Sequence, residues 1–472
     1  MNSPGLWVLF NREAAMKRPD MLRDPIAPAL ARLVLPLIPG TLSIVLFNLA
    51  DTYFVGQLGA DPLAAMSFSF PIVLVSGGLS MGLGIGTSAL VSRKIGSGDE
   101  RGAAMISSHA HLLVLLVTSL LAVIGLLTIE PLFRALGAGS RTLPLIRDYM
   151  RVWYMGLPFV LVPMIGMNVL QARGDTRVPG AALTGAVFLN ILLDPLLIFG
   201  WGPVPAMGIA GAAWATVIGR ASSAVVILLV VWRRDRMLTR AIGGLRVVVR
   251  SWAGILRLGV PAAAANILLP ISMGVITRLV SAFGTDAVAG FGAATRVESF
   301  ALVFTLALSM IVTPYVGQNA GAGKGPRVRT GFRVSAVFSL AWGGMVLVVF
   351  LAAARVIAGA FSDSAAVTDG ATAYLRTVAL SYGLLGIVNL GTAAFNGLQK
   401  PLRAAGVAAL RLFVLLIPLA WLGRELGGLQ GLYWGVATGN VLAGVASFIW
   451  FDRSARRMLG ASPEKPPTVL SA

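Results

Sequence analysis

Two aspartates, Asp51 and Asp194, interrupt stretches that are otherwise almost wholly apolar, in Asn48-Leu-Ala-Asp51-Thr and Asn190-Ile-Leu-Leu-Asp194-Pro195. A carboxylate at bilayer depth costs roughly 2.5–3.5 kcal/mol on insertion scales. It survives there if it is protonated, paired, or turned toward a wet cavity. Asn190 and Asp194 are four residues apart and share one helix face. Asn48 and Asp51, three apart, do the same on another helix. If the two faces meet, they enclose a polar pocket whose acids can pick up a proton on one side and release it on the other. The same oxygens suit a hard cation such as sodium. The plainer alternative is that both acids only bond neighbouring helices. The chemistry suggested is ion coupling, not bond making.

The elements that hold these acids are membrane helices. The chain has 472 residues, of which 57% are hydrophobic and 12% charged, and its mean hydropathy is +0.83. A soluble domain carries about 25% charged residues, so this chain cannot cover a water-facing surface. Runs such as 112–129 are continuously apolar, which excludes the alternation of a membrane β-barrel. The net charge of +19 lies between apolar runs, as in loops that face anionic lipid, and does not indicate nucleic acid. With no cysteine, disulfides and thiolate metal sites are excluded.

Apolar segments fall near 30–57, 67–92, 107–129, 144–170, 178–200 and 208–232, and again near 253–283, 291–316, 331–354, 371–396, 404–423 and 428–451. Lys and Arg concentrate in alternate connections: Arg93, Lys94 and Arg101; Arg173 and Arg177; Arg233 to Arg250; Lys324 to Arg333; Lys400 and Arg403. By the positive-inside rule this predicts twelve spans with both termini cytoplasmic, in an inner cell membrane. The expected organisation is a cytoplasmic leader over 1–29 without a cleavable signal, a six-helix lobe over 30–232, a cytoplasmic linker over 233–252, a second six-helix lobe over 253–451 and a cytoplasmic tail over 452–472. The halves also repeat. Leu-Pro36 aligns with Val-Pro261, Gly59-Ala-Asp61 with Gly284-Thr-Asp286, Gly96-Ser-Gly98 with Gly321-Ala-Gly323, and Gly211-Ala-Ala-Trp214 with Gly431-Leu-Tyr-Trp434, at a nearly constant offset. Repeated lobes around a midplane cavity are a common design for alternating access.

Taken in order, Asn48-Leu-Ala-Asp51-Thr-Tyr-Phe-Val-Gly56, Gly-Ala-Asp61-Pro-Leu-Ala-Ala, Leu170-Gln-Ala-Arg-Gly-Asp175-Thr-Arg177, Asn190-Ile-Leu-Leu-Asp194-Pro195 and Val316-Gly-Gln-Asn319 resemble the multidrug and toxic compound extrusion (MATE) family. The resemblance implies an all-α polytopic fold of twelve transmembrane helices in two pseudo-symmetric six-helix lobes forming a V, and export of drugs or metabolites driven by proton or sodium entry. It points to the DinF-like branch, in which the N-terminal lobe carries the essential acids. On that likeness Asp51, Asp194, Asn190 and Thr216 form the ion-coupling cluster. From their places in the spans, Asn48 and Asn168, with Asp51 and Asp194, are the expected substrate contacts. The C-terminal counterparts of the acids are Ile276 and Ile417.

The reading is therefore a secondary-active antiporter for small amphipathic or cationic organic molecules or metabolites, working as a monomer in the lipid bilayer with no enzymatic activity. No cofactor or metal is expected beyond the coupling ion. The rival reading, a lipid-linked oligosaccharide flippase of the same superfamily, calls for a cationic central cavity. An intramembrane prenyltransferase calls for clustered acids at a membrane edge, which are missing. Four further points are left as expectations. Arg296 and Glu298 form either a buried or an interfacial pair, Arg278 is buried and can pair with an acid, His109 and His111 are solvated, and Gly96-Ser-Gly-Asp99 is a turn. Pro36 and Pro39 are expected to bend the first span.

Overall fold

The computed structural model describes residues 18–241 and 243–459. Residues 1–17 of the expected leader and 460–472 of the expected tail lie outside the described residues. The described chain is a bundle of long helices. The first six are α1 (Ile26–Gly56), α2 (Ala60–Gly96), α3 (Glu100–Ala135), α4 (Thr142–Ala172), α5 (Arg177–Phe199) and α6 (Ile209–Arg234). Next come α7 (Leu245–Ser281), α8 in two parts (Thr285–Ala301 and Val303–Gly321), α9 (Gly325–Gly359) and α10 (Ala365–Gly397). The last helical stretch, Pro401–Leu459, is interrupted at Gly427 and Gly428, where Gly428 has φ +62°. It is therefore two spans, α11 (401–426) and α12 (429–459). Counting the bent α8 once and the interrupted last stretch as two, the apolar helices among the described residues make twelve spans.

Helices run past the apolar stretches at several ends. α7 begins at Leu245, inside the expected linker, and α1 begins at Ile26, inside the expected leader. Likewise α12 carries Asp452, Arg453 and Arg456 into the expected tail. Backbone hydrogen bonding does not stop where hydrophobicity does, so the connection between the lobes shrinks to residues 235–244. Leu112, Leu115, Leu116, Leu120, Val123 and Leu127 stand exposed along α3, a surface suited to lipid.

Two glycine-bearing turns recur in the two lobes. Gly98 (φ +79°) and Gly323 (φ +71°) both take the left-handed conformation that suits glycine. After the first, Asp99 caps α3 by accepting from the Gly102 amide at 2.8 Å and from Lys94 Nζ at 2.7 Å. That lysine contact holds the Asp99 carboxyl below its ordinary range. Gly96-Ser-Gly-Asp99 is thus a capped turn.

The basic connections gather at one end of the bundle, and there the lobes are closed against each other. Gly96 of α2 packs on the Gln318 carbonyl of α8, and Gly321 of α8 packs on the Arg93 carbonyl of α2, with no room for a Cβ at either. The two contacts are related by the internal repeat. Further along, α2 and α7 cross through small residues: a Cβ on Gly86 would lie 2.6 Å from the Ile255 carbonyl, and one on Gly82 would lie 2.6 Å from the Ala263 Cβ. Such close backbone approach is the usual basis of helix association in lipid.

Candidate functional site

Glycines set how closely the helices of the first lobe approach. α1 meets α5 where Gly40 lies beside Gly180, a contact of 3.1 Å from a Cβ to the Gly180 carbonyl, and α5 meets α6 where Gly219 abuts the Ala186 carbonyl at 2.6 Å. These contacts bring four of the expected residues together. Asp51 of α1 is 4% exposed and Asp194 of α5 is wholly buried. Asn190 lies one turn from Asp194 and reaches Thr216 of α6. With its amide turned so that oxygen meets donors, its nitrogen donates to Asp194 Oδ2 at 3.2 Å and its oxygen accepts from the Thr216 backbone N–H at 3.1 Å and Oγ1 at 3.3 Å. Asp51 and Asp194 interact electrostatically with each other, and Tyr149 of α4 interacts with both.

No cationic side chain pairs with either acid among the described residues. Asp51 Oδ1 is buried with no hydrogen-bond partner. A buried oxygen left so is costly, and two unpaired acids in one pocket are a poor structural solution. They are a good one for binding a proton or a hard cation.

The other residues named as substrate contacts sit apart from this cluster. Asn48 is exposed and donates to the Ile44 carbonyl of its own helix at 2.9 Å. The edge between the buried and exposed faces of α1 falls between Asn48 and Asp51. Asn168 of α4 is partly exposed against Gly84 of α2 and donates to the Met164 carbonyl at 2.8 Å.

Arg296 and Glu298 are not a pair. Arg296 is exposed, while Glu298 is buried and accepts from the Tyr374 hydroxyl at 2.6 Å. Two residues apart on a helix, they point to different faces. Glu298 interacts electrostatically with Arg411, which sits in a π-helical turn over Leu410–Leu416 and donates to Asn440 Oδ1 at 2.9 Å. Arg278 is exposed, not buried. His109 and His111 are buried rather than solvated, because α3 starts at Glu100 and carries them two turns inside. His111 Nδ1 lies 2.8 Å from the Ser107 carbonyl.

The closed basic end also carries a clasp that no single motif announces. Arg18 bonds Asp235 at 2.7 Å and Asp175 at 3.3 Å, and Arg234 bonds Asp175. Burial alone would raise the Asp235 carboxyl, but the bonds and charges of Arg18 and Arg234 outweigh it and hold it below its ordinary range. Just after Arg18, the chain turns to the second lobe. The Met21 carbonyl accepts from Asn319 at 3.1 Å and Arg327 at 3.2 Å, the Leu22 carbonyl from Lys324 at 3.1 Å, and the Asp24 carbonyl from Arg327 at 2.8 Å. Gln318 donates across the lobes to the Ala172 carbonyl at 2.6 Å. The sequence shows only that Gln171 to Arg177 and Val316 to Asn319 are polar ends of apolar spans, not that Arg18 and the residues after it reach them.

A family profile described as MatE matches residues 36–196 and 261–422, one match in each lobe. The chain is 37% identical to a protein named FAD transporter from Shewanella oneidensis, over 92% of this chain and 96% of that one. It is 26% identical to the multidrug export protein MepA of Staphylococcus aureus, over 90% and 94%. A crystal structure of a mutant of the Vibrio cholerae MATE transporter VcmN superposes with TM-score 0.87 at 31% identity, covering 92% of this chain and 97% of the other.

Proposed function

Because the chain belongs to the MATE family of membrane transporters, we propose that it exports a small organic molecule in exchange for a proton bound at Asp51 and Asp194. The observation that carries this reading is the pair of acids in one pocket with no countercharge and one unbonded oxygen. Asn190 and Thr216 orient Asp194 and remain as polar neighbours when the proton leaves. Sodium is the competing ion, since the same four side chains supply oxygens.

In this reading the basic end is cytoplasmic, both termini lie there, and the membrane is the inner one of the cell. The lobes meet at that end, so in this reading the state described is closed toward the cytoplasm. Cargo and ion share one cavity that the acids border on one side, and Asn48 and Asn168, which stand apart from the acid cluster, offer their amide oxygens to the cargo elsewhere along it. One copy of the chain completes the cycle.

α1 supplies the link between ion and gate. Leu30, Leu33, Val34 and Leu37 pack in the second lobe's core with Leu308, Ile311 and Phe332, while Val55, one turn beyond Asp51, packs in the first lobe's core. The helix is broken at Pro36 between Ile26–Val34 and Leu37–Gly56. A change of charge at Asp51 that moves the outer part therefore pulls on the inner part.

The cargo class has two readings. The multidrug export protein MepA supports drugs; the 37% identical FAD transporter supports a flavin nucleotide or a similar metabolite, and its greater identity favours that reading. The test is efflux from reconstituted vesicles under separately imposed pH and sodium gradients, with FAD and ethidium as cargoes and with Asp51→Asn and Asp194→Asn. Proton coupling predicts efflux that follows the pH gradient alone and is lost in both variants. Normal pumping by both would refute the assignment.

A further inference from the structure

Arg220 lies near the middle of α6, where an ionised side chain is costly and ordinarily finds an opposite charge. No charged group among the described residues interacts with it. Its guanidinium carbon stands 6.0 Å from the centroid of the Phe47 ring of α1, the outer limit of a cation–π contact. That ring cannot satisfy the five N–H donors of the group.

The helix geometry shows where these donors point. On α6, Trp214, Ile218, Val225 and Leu229 are exposed and mark the lipid side. With 3.6 residues per turn, Arg220 projects from the opposite side, among Ala213, Val217, Ala224 and Ile227, all buried. Yet Arg220 and its neighbour one turn away, Thr216, are only partly buried. Partial exposure on the inward side marks a hollow inside the lobe at the level of these two residues. The hollow adjoins the acid cluster, because Thr216 bonds Asn190 and Phe47 precedes Asp51 by one turn.

We infer that Arg220 is the anion-recognition residue of the cargo site, receiving a phosphate or carboxylate group of the transported molecule while Phe47 lies beside the bound group. A guanidinium presents a planar fork matched to two oxyanion oxygens. The inference rests on the cargo cavity proposed above and adds the charge of the cargo. Proton binding displaces such a cargo through the shape of α1, which carries both Phe47 and Asp51, and not through charge repulsion.

The test is equilibrium binding to the purified full chain in nanodiscs with no gradient, so a failure of coupling at Asp51 does not affect it. Two matched pairs serve as probes: FMN with riboflavin for phosphate, and naphthoate with its methyl ester for carboxylate. Wild type should prefer the anion of at least one pair, and the pair that shows the preference identifies the group. Arg220→Gln should cut the affinity for that anion by about tenfold or more while leaving its neutral partner unchanged, and Arg220→Lys should restore part of the difference. A wild type with no preference in either pair overturns the inference. So does an Arg220→Gln variant that weakens both members of a pair equally, because that marks a purely structural contact with Phe47.

Discussion

Pro36 breaks the helix that carries Asp51, so one span belongs to both cores: its start packs in the second lobe and its acid faces the first. An acid placed there can act on the gate without touching it. Replacing Pro36 with alanine restores the missing backbone hydrogen bond and stiffens α1. We expect Pro36→Ala to bind cargo as the wild type does but to transport several-fold more slowly. Equal loss of binding and transport would show that the break only shapes the pocket.

The reciprocal contacts of Gly96 with the Gln318 carbonyl and Gly321 with the Arg93 carbonyl leave no space for a side chain. Overpacking of this kind costs about 1–3 kcal/mol, and only in the state closed at the basic end. Gly96→Ala and Gly321→Ala should therefore shift the population toward opening there. The chain has no cysteine, so spin labels on Ser97→Cys and Ala322→Cys report the gap without background. A longer mean distance in either glycine variant is the expected result; an unchanged distribution would mean the turns yield locally.

The Arg18–Asp235 contact adds charge to the same closure. The Asp235 carboxyl is held below its ordinary range, so its contribution is complete above the unfolded value and is lost only as pH falls through the lower folded value. Across pH 5 to 8 the Asp235 carboxyl therefore stays ionised. Asp235→Asn should weaken closure, read by the same spin labels, while leaving the shape of the pH–transport profile unchanged. A profile shifted within that window would place a titrating group in the clasp.

In the second lobe, the hydroxyl of Tyr374 donates to Glu298 at 2.6 Å in a buried setting. Tyr374→Phe leaves a carboxyl oxygen unsatisfied and should destabilise the protein by about 1–3 kcal/mol, seen as a lower melting temperature in detergent. A change of less than about 0.5 kcal/mol would indicate that water enters the pocket.

Much of this arrangement was legible in the residues. Twelve apolar runs, the alternation of arginines between them and the repeat from Pro36 to Pro261 describe the frame without coordinates. So do Asp51 and Asp194, because acids in such runs stand out. What was not legible is which way side chains turn. These helices are apolar on all sides, so sequence spacing names a shared face but not whether it meets protein or lipid. Asn48 is exposed although it sits three residues from buried Asp51, and Arg296 is exposed two residues from buried Glu298. Arg220 does not stand out in the sequence for the same reason, since its significance lies in facing inward without an opposite charge. The clasp was hidden because Arg18, Asp175 and Asp235 are far apart in sequence.

Proton release on cargo binding tests the central claim most directly. Purified protein in weakly buffered detergent is mixed with a cargo that transport assays have identified, and the pH change is read with an indicator dye. Wild type should release protons on binding, and the Asp51→Asn/Asp194→Asn double variant should bind cargo with no release. Undiminished release from the double variant would place the exchanging proton elsewhere and contradict the account.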